Sequence, residues 1–238
     1  MIEIERFQSR SGEIRIVRSK NNRSVMYVEY GICQSYARAD GFSLNSYIHL
    51  MAHLLRHSRK ILMLGCGGGT LATMLRKPST DITVVDNNPD SFRLARDYFG
   101  MPPDIQCVEA DFRAFMASCG DTFDGVAIDI SSHTFDFQIL LNQETCQLIK
   151  QLAGPQGRIA INILVPWDTD LVPDQICRDL ETGDQTTWIL DQPGIPGRNV
   201  IIARGIATDI DGIRGAIPDD LRTPIEPWVC RSSRLAPR

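Results

Sequence analysis

The chain begins with short alternating runs and changes rhythm near residue 60. Arg15 to Arg18 and Ser24 to Tyr30 are short β-prone runs, with Asn21 and Asn22 between them as a tight turn. Residues 1–40 therefore predict a small β region built on a hairpin. From Phe42 to His57 the spacing is that of a helix, with Phe42, Leu44, Tyr47, Ile48, Met51, Leu54 and Leu55 on its apolar side. Ile61 to Leu64 is a wholly apolar run, followed by a glycine cluster, a helical stretch from Leu71 to Arg76 and a second apolar run from Ile82 to Val85. Asn88 and Pro89 supply the cap and first-turn proline of the next helix, which Gly100 closes. Ile105 to Val108, Gly125 to Ile128 and Arg158 to Val165 add buried strands, with Asn142 capping a helix that runs to about Leu152. Strands alternating with helices predict an α/β fold: a doubly wound, mostly parallel sheet covered on both faces. Thr187 to Leu190 and Val200 to Ala203 are joined by a turn too short for a helical crossover, so they pair antiparallel. The reading divides the chain into a β-hairpin region (1–40), a ligand-binding domain (41–205) and a draped C-terminal tail (206–238).

Composition narrows the partners. With 43% apolar and 23% charged residues and a net charge of -4, the chain has the balance of a soluble globular protein with no nucleic-acid face. Its basic clusters, Arg56, Arg59 and Lys60 and then Arg231, Arg234 and Arg238, are short and lack interleaved aromatics for stacking on bases. No apolar run reaches the roughly 18 residues of a membrane span, and no membrane partner is expected. Seven cysteines without a CxxC pair point to a reduced compartment. Glu3 and Glu5 stand where a leader peptide needs a basic and then apolar stretch, and the expected location is cytoplasmic. His49, His53 and His57 repeat along one helix flank, but no acid or cysteine is spaced to complete a metal site, so no metal is expected.

The chemistry concentrates after the first buried strand, in Leu64-Gly65-Cys66-Gly67-Gly68-Gly69-Thr70. Glycines let a ligand approach the main chain closely, and the helix that follows turns its amide groups toward the loop. Asp86 ends the next strand, with Asn87 beside it, where a carboxylate accepts both hydroxyls of a ribose. A dinucleotide fingerprint needs its third glycine at position 70, which is Thr70. The spacing Gly65, Gly67, Gly69 instead suits the methionine part of S-adenosylmethionine. The third strand ends at Asp111 and Phe112, an acid for an adenine amino group and an apolar ring to pack on the base. Together with the antiparallel end of the sheet, these positions predict a Rossmann-like domain of the class I methyltransferase type. Its expected partner is a small-molecule substrate.

At the end of the fourth strand lies Ile128-Asp129-Ile130-Ser131-Ser132-His133, on the rim where doubly wound folds bind ligands. Asp129 is the candidate catalytic residue, because a carboxylate facing a sulfonium donor can hold an amine and take its proton. Ser131, Ser132 and His133 are candidates for the acceptor pocket. No G-x-S-x-G elbow accompanies them, which disfavours a hydrolase.

Beyond these local readings, the order of motifs over residues 10 to 165 resembles the spermidine synthase (polyamine aminopropyltransferase) family. The resemblance is carried by Gln34, Asp40-Gly41-Phe42-Ser43 leading to Met51-Ala52-His53, the strand and loop Ile61 to Thr70, Asp86, Asp111-Phe112, and Asp129 with Ser131 and Ser132. It implies that Gln34, Asp86 and Asp111 bind the donor, that Asp129 deprotonates the attacking amine, and that the protein is a homodimer. The family's loop aspartate is Gly68 in this chain, its acceptor-binding Tyr and Glu are placed at Leu44 and Ser46, and its second aspartate is Ser132. The match is to the divergent bacterial members. The function implied is alkylation (aminopropylation) of an amine from S-adenosylmethionine or its decarboxylated form, with the transferred group an aminopropyl, a 3-amino-3-carboxypropyl or a methyl. A methyltransferase and a non-catalytic nucleoside-binding regulator are the alternatives.

Overall fold

A computed structural model describes residues 1–10, 12–130, 136–205, 210–222 and 228–232. The chain begins as an antiparallel meander of β1 (Ile2–Ser9), β2 (Gly12–Arg18), β3 (Val25–Glu29) and β4 (Ile32–Ala37), paired in chain order. The hairpin expected between Arg15 and Tyr30 is therefore the middle of a four-stranded sheet. Ile14 and Ile16 alternate with polar residues and bury one face of it together with Val25 and Tyr27.

The helix expected from Phe42 is shorter, α1 (Ser46–Leu55). Residues 42 to 44 stay extended because their backbone bonds go elsewhere: Ala37 bridges Ser43, and the Leu44 amide donates to Tyr36 O at 2.7 Å. Phe42, read as a buried position, is 42% exposed.

After α1 the chain alternates as expected through β5 (Lys60–Leu64), α2 (Thr70–Leu75), β6 (Asp81–Asp86), α3 (Pro89–Phe99), β7 (Gln106–Glu109), α4 (Phe112–Ser118) and β8 (Gly125–Ile128). It continues through α5 (Phe137–Leu140), α6 (Gln143–Ala153), β9 (Arg158–Val165), α7 (Val172–Leu180), β10 (Thr187–Asp191) and β11 (Arg198–Arg204). Among the described residues the large sheet has eight strands in the order β12-β10-β11-β9-β8-β5-β6-β7, where β12 is Val229–Ser232. Strands β5 to β9 are parallel, and β10 and β11 are antiparallel as their short turn required. The order reverses direction between β5 and β8, which opens a crevice at their carboxyl ends.

Helix α3 shows why residue choice fixes position. The Asn88 side chain accepts from Asp90 N, Pro89 starts the helix, and Gly100 ends it at φ 69. Its Phe92 and Ala95 join the core of the large sheet, whereas Leu94 and Phe99 pack under the small one. The two sheets thus share this helix as a common wall, and Arg93 reinforces it by pairing with Glu5 at 2.8 Å.

The segment after Gly205, expected as a draped tail, contributes structure. It supplies α8 (Ile210–Gly215) and a short 3-10 turn (Asp219–Leu221), and β12 pairs antiparallel with β10. Ile213, Ile217 and Trp228 are buried in the main core. Helices α4 and α7 were not foreseen from the sequence. Asp111, read for its chemistry, caps α4, and α7 follows Leu171, which makes no side-chain cap.

Candidate active site

A cleft of about 420 Å³ lies at the crevice between β5 and β8, with Tyr27 and Gln34 of the small sheet forming one wall. The glycine loop forms its floor. Gly65 has φ 97, and a Cβ there would lie 2.1 Å from the carbonyl oxygen of Asp129, so only glycine lets the two strand ends approach. Gly67 also lines the cleft, whereas Gly69 turns away against Met101 and Ala95. At Gly68 the limit is space: a Cβ would sit 2.9 Å from Ser35 Cβ and from the Phe99 ring. Ser35 Oγ accepts from the Gly68 amide at 2.8 Å, so a serine of the small sheet closes against the loop here.

At the end of β6 Asp86 is fixed by two amides, Cys66 N on Oδ2 and Asn88 N on Oδ1, each at 2.8 Å. Burial raises its pKa, opposed by those two hydrogen bonds. Each oxygen keeps a lone pair for a further donor, which fits a ribose diol. Asn87 lines the cleft beside it. Asp111 caps α4, its Oδ1 accepting from Arg113 N and Ala114 N at 3.0 and 3.1 Å, and the buried Phe112 follows on the cleft wall. Capping engages only one oxygen of Asp111 and is compatible with its reading as a ligand-binding acid.

Beside the glycine loop, at the end of β8, Asp129 is held at both oxygens. Asn162 Nδ2 donates to Oδ1 at 2.8 Å and the Tyr47 hydroxyl donates to Oδ2 at 3.4 Å. Burial raises the carboxyl pKa, and the two neutral donors act against it. Burial and the adjacent carboxylate also push the Tyr47 hydroxyl well above its ordinary pKa, so Tyr47 serves as a donor and not as an anion. These partners were not singled out from the sequence. Tyr47 reads as one more apolar position of α1. Asn162 carried a signal, as the lone polar residue within the apolar run Ile159 to Val165. The resemblance put Leu44 and Ser46 at the acceptor-binding places, yet it is Tyr47 that α1 delivers to Asp129.

Ser131, Ser132 and His133, the expected acceptor residues, lie outside the described residues. His49 is buried, with a ring nitrogen 2.8 Å from Ser43 O. Among the described residues no group of three or more His, Cys, Asp or Glu is placed to hold a metal.

A family model described as a methyltransferase domain matches residues 61–154, which run from β5 to the end of α6. A probable polyamine aminopropyl transferase of Bifidobacterium longum (strain NCC 2705) is 30% identical over 113 residues. That match covers 46% of this chain and spans a quarter of the relative's length, 25%. A probable spermidine synthase from Corynebacterium glutamicum ATCC 13032 has the same fold at a TM-score of 0.83 with 17% identity, covering 98% of this chain and 92% of that one. A spermidine synthase in complex with the transition state analogue AdoDATO matches at a TM-score of 0.67 and 17% identity, covering 92% and 77%.

Proposed function

We propose that this chain is a divergent spermidine synthase-like protein built on a methyltransferase domain, and that it transfers an aminopropyl group from decarboxylated S-adenosylmethionine to an amine. The observation that carries the reading is the carboxylate of Asp129, set between Tyr47 and Asn162 on the wall of the cleft that the glycine loop also lines. The donor supplies an electrophilic carbon on a sulfonium. Asp129 takes a proton from the acceptor ammonium, because only the neutral amine has a lone pair for attack. The new N–C bond forms as the S–C bond breaks, the thioether leaves with that electron pair, and the positive charge passes from sulfur to nitrogen. Asp129 returns its proton to solvent. Asp86 and Asp111 hold the nucleoside while Gln34 closes over it, so that the reacting centres meet in one geometry.

The choice of the decarboxylated donor over S-adenosylmethionine rests on where anions fit. A donor carboxylate needs cations or free amides, and the loop offers few. The amides of Gly65, Cys66, Gly68 and Gly69 are taken by Val85 O, Asp86, Ser35 and Cys66 O. Arg113 is the one cationic side chain among the described residues of the cleft wall, and it stands beside Phe112 at the adenine end. Calorimetric titration with both donors, followed by product analysis with an amine, tests the proposal. Tighter binding of the decarboxylated form and release of methylthioadenosine are expected. Preference for the intact donor with release of S-adenosylhomocysteine would replace the proposal by methyl transfer, and binding without either product would leave a nucleoside-binding regulator.

A further inference from the structure

The small sheet carries an acid where its pattern calls for an apolar residue. Ile14 and Ile16 of β2 stand opposite Glu29 and Tyr27 of β3, and side chains directly opposite each other in an antiparallel pair share a face. That face is the apolar one: Ile14, Ile16, Val25 and Tyr27 pack on Leu94 and Phe99 of α3. Glu29 is thus the acid at the end of the inner face, and it lines the cleft together with Asp86 and Ser91. A carboxylate in such a place gives up hydration and needs hydrogen-bond donors in exchange.

The protein supplies one. The Tyr27 hydroxyl donates to Oε2 of Glu29 at 3.1 Å, and Oε1 makes no hydrogen bond among the described residues. Burial, and after it the charge of Glu29, raise the pKa of Asp86 against its two amides, so the two acids stand within each other's field. The backbone keeps Glu29 in place. Tyr30, the next residue, has φ 50, a left-handed conformation uncommon for any residue but glycine. Its ring lies against Gly12, where a Cβ would fall 2.2 Å from Tyr30 Cζ, and its amide donates to Glu13 O at 3.4 Å. The turn between β3 and β4 is therefore pinned to the start of β2, and Glu29 is held at the cleft before any ligand arrives.

We propose that Glu29 is a ribose-binding residue, taking one hydroxyl of the diol while Asp86 holds the other. The inference rests on the nucleoside reading of the Asp86 end of the cleft. Two acids from different sheets, each with accepting capacity left over, match two neighbouring hydroxyl donors. Selection of ribonucleosides over deoxyribonucleosides is then divided between the small sheet and the large one. An analogue that lacks a hydroxyl leaves a carboxylate oxygen both dehydrated and without a donor, which costs more than the loss of one neutral hydrogen bond.

The test is calorimetric titration of the full protein and of Glu29→Ala with methylthioadenosine and its 2′-deoxy and 3′-deoxy analogues. Glu29→Ala is expected to weaken methylthioadenosine by about tenfold or more. With at least one deoxy analogue the variant should match wild type within about twofold, because the hydroxyl that Glu29 held is already gone. Unchanged affinity for methylthioadenosine, or a loss that persists with both analogues, would overturn the proposal. If Glu29→Ala does not fold, Glu29→Gln decides, since it keeps the shape and removes the charge. A loss of about threefold or more is then expected, again absent with one deoxy analogue. A wild-type protein that binds none of the three nucleosides would remove the nucleoside reading and this proposal with it. Loss of binding in Asp86→Ala but not in Glu29→Ala would remove this proposal alone.

Discussion

Asp129 combines two properties that usually compete, a raised pKa and well-made hydrogen bonds. Burial raises the pKa and makes the carboxylate a stronger base, while Asn162 and Tyr47 keep the ionised form accessible. Asp129→Asn keeps the shape and one accepting oxygen for Asn162, turns the other contact into a donor to the Tyr47 hydroxyl oxygen, and removes the base, so turnover should fall by about two orders of magnitude or more while donor affinity stays within twofold. Substantial residual turnover in steady-state assays would rule out the role. The same raised pKa has a sign for stability. A carboxyl that resists ionisation in the folded state favours folding at low pH and loses that contribution as pH rises through its folded value. Asp129→Asn should therefore be more stable than wild type at neutral pH, an advantage that disappears in acid, measured by urea denaturation across pH. Asn162→Leu deletes a donor that lowers the pKa, so the acidic limb of the rate profile should move to higher pH. A limb that stays in place would show that Asn162 does not tune the base. Asp86, Asp111 and Asp129 were singled out in the sequence because each stands at or just past the end of a strand of the large sheet, whereas Glu29, which also lines the cleft from the small sheet, was not. Tyr47 was not, because a tyrosine at helical spacing has the pattern of a core residue, and only the packing of α1 turns its hydroxyl toward β8.

Elements whose limits are set locally were the easier ones to read. Asn88, Pro89 and Gly100 bound α3 by capping and backbone conformation alone, and the turn between β10 and β11 dictated an antiparallel pair. Elements whose limits are set by distant bonding were misjudged. The start of α1 depends on bonds from residues 42 to 44 to the end of β4, and β12 has no periodicity of its own until β10 offers it an edge. The glycine loop belongs to both groups, since its presence is written in the chain but its spacing from Ser35 and Asp129 is not. Gly65→Ala combines an unfavourable φ with a contact at 2.1 Å to the Asp129 backbone. Destabilisation of roughly 2–5 kcal/mol is expected in chemical denaturation, and a loss below 1 kcal/mol would mean that the strand ends separate easily.

For the whole molecule, the eight-stranded sheet is completed by residues far from its centre in sequence. Trp228 is buried against the core that contains α1, β5 and α8, immediately before β12. Trp228→Ala should destabilise the entire fold by roughly 3–5 kcal/mol, seen as a lower midpoint of one cooperative transition. A separate early transition would instead mark the C-terminal segment as an independently melting layer. At the other side of the molecule, the small sheet is tied to the large one where the proposed ligand would lie. Ser9 donates to the Asn88 side chain at 3.3 Å, and the amide of Asn88 donates to Asp86. A molecule bound between Gln34 and Asp86 spans that junction, and linkage works in both directions. Whatever affinity the cleft derives from the small sheet, the small sheet recovers as resistance to lifting away. Amide protons along β2 and β3 would therefore exchange more slowly with solvent when the nucleoside is present, even at positions that it never touches.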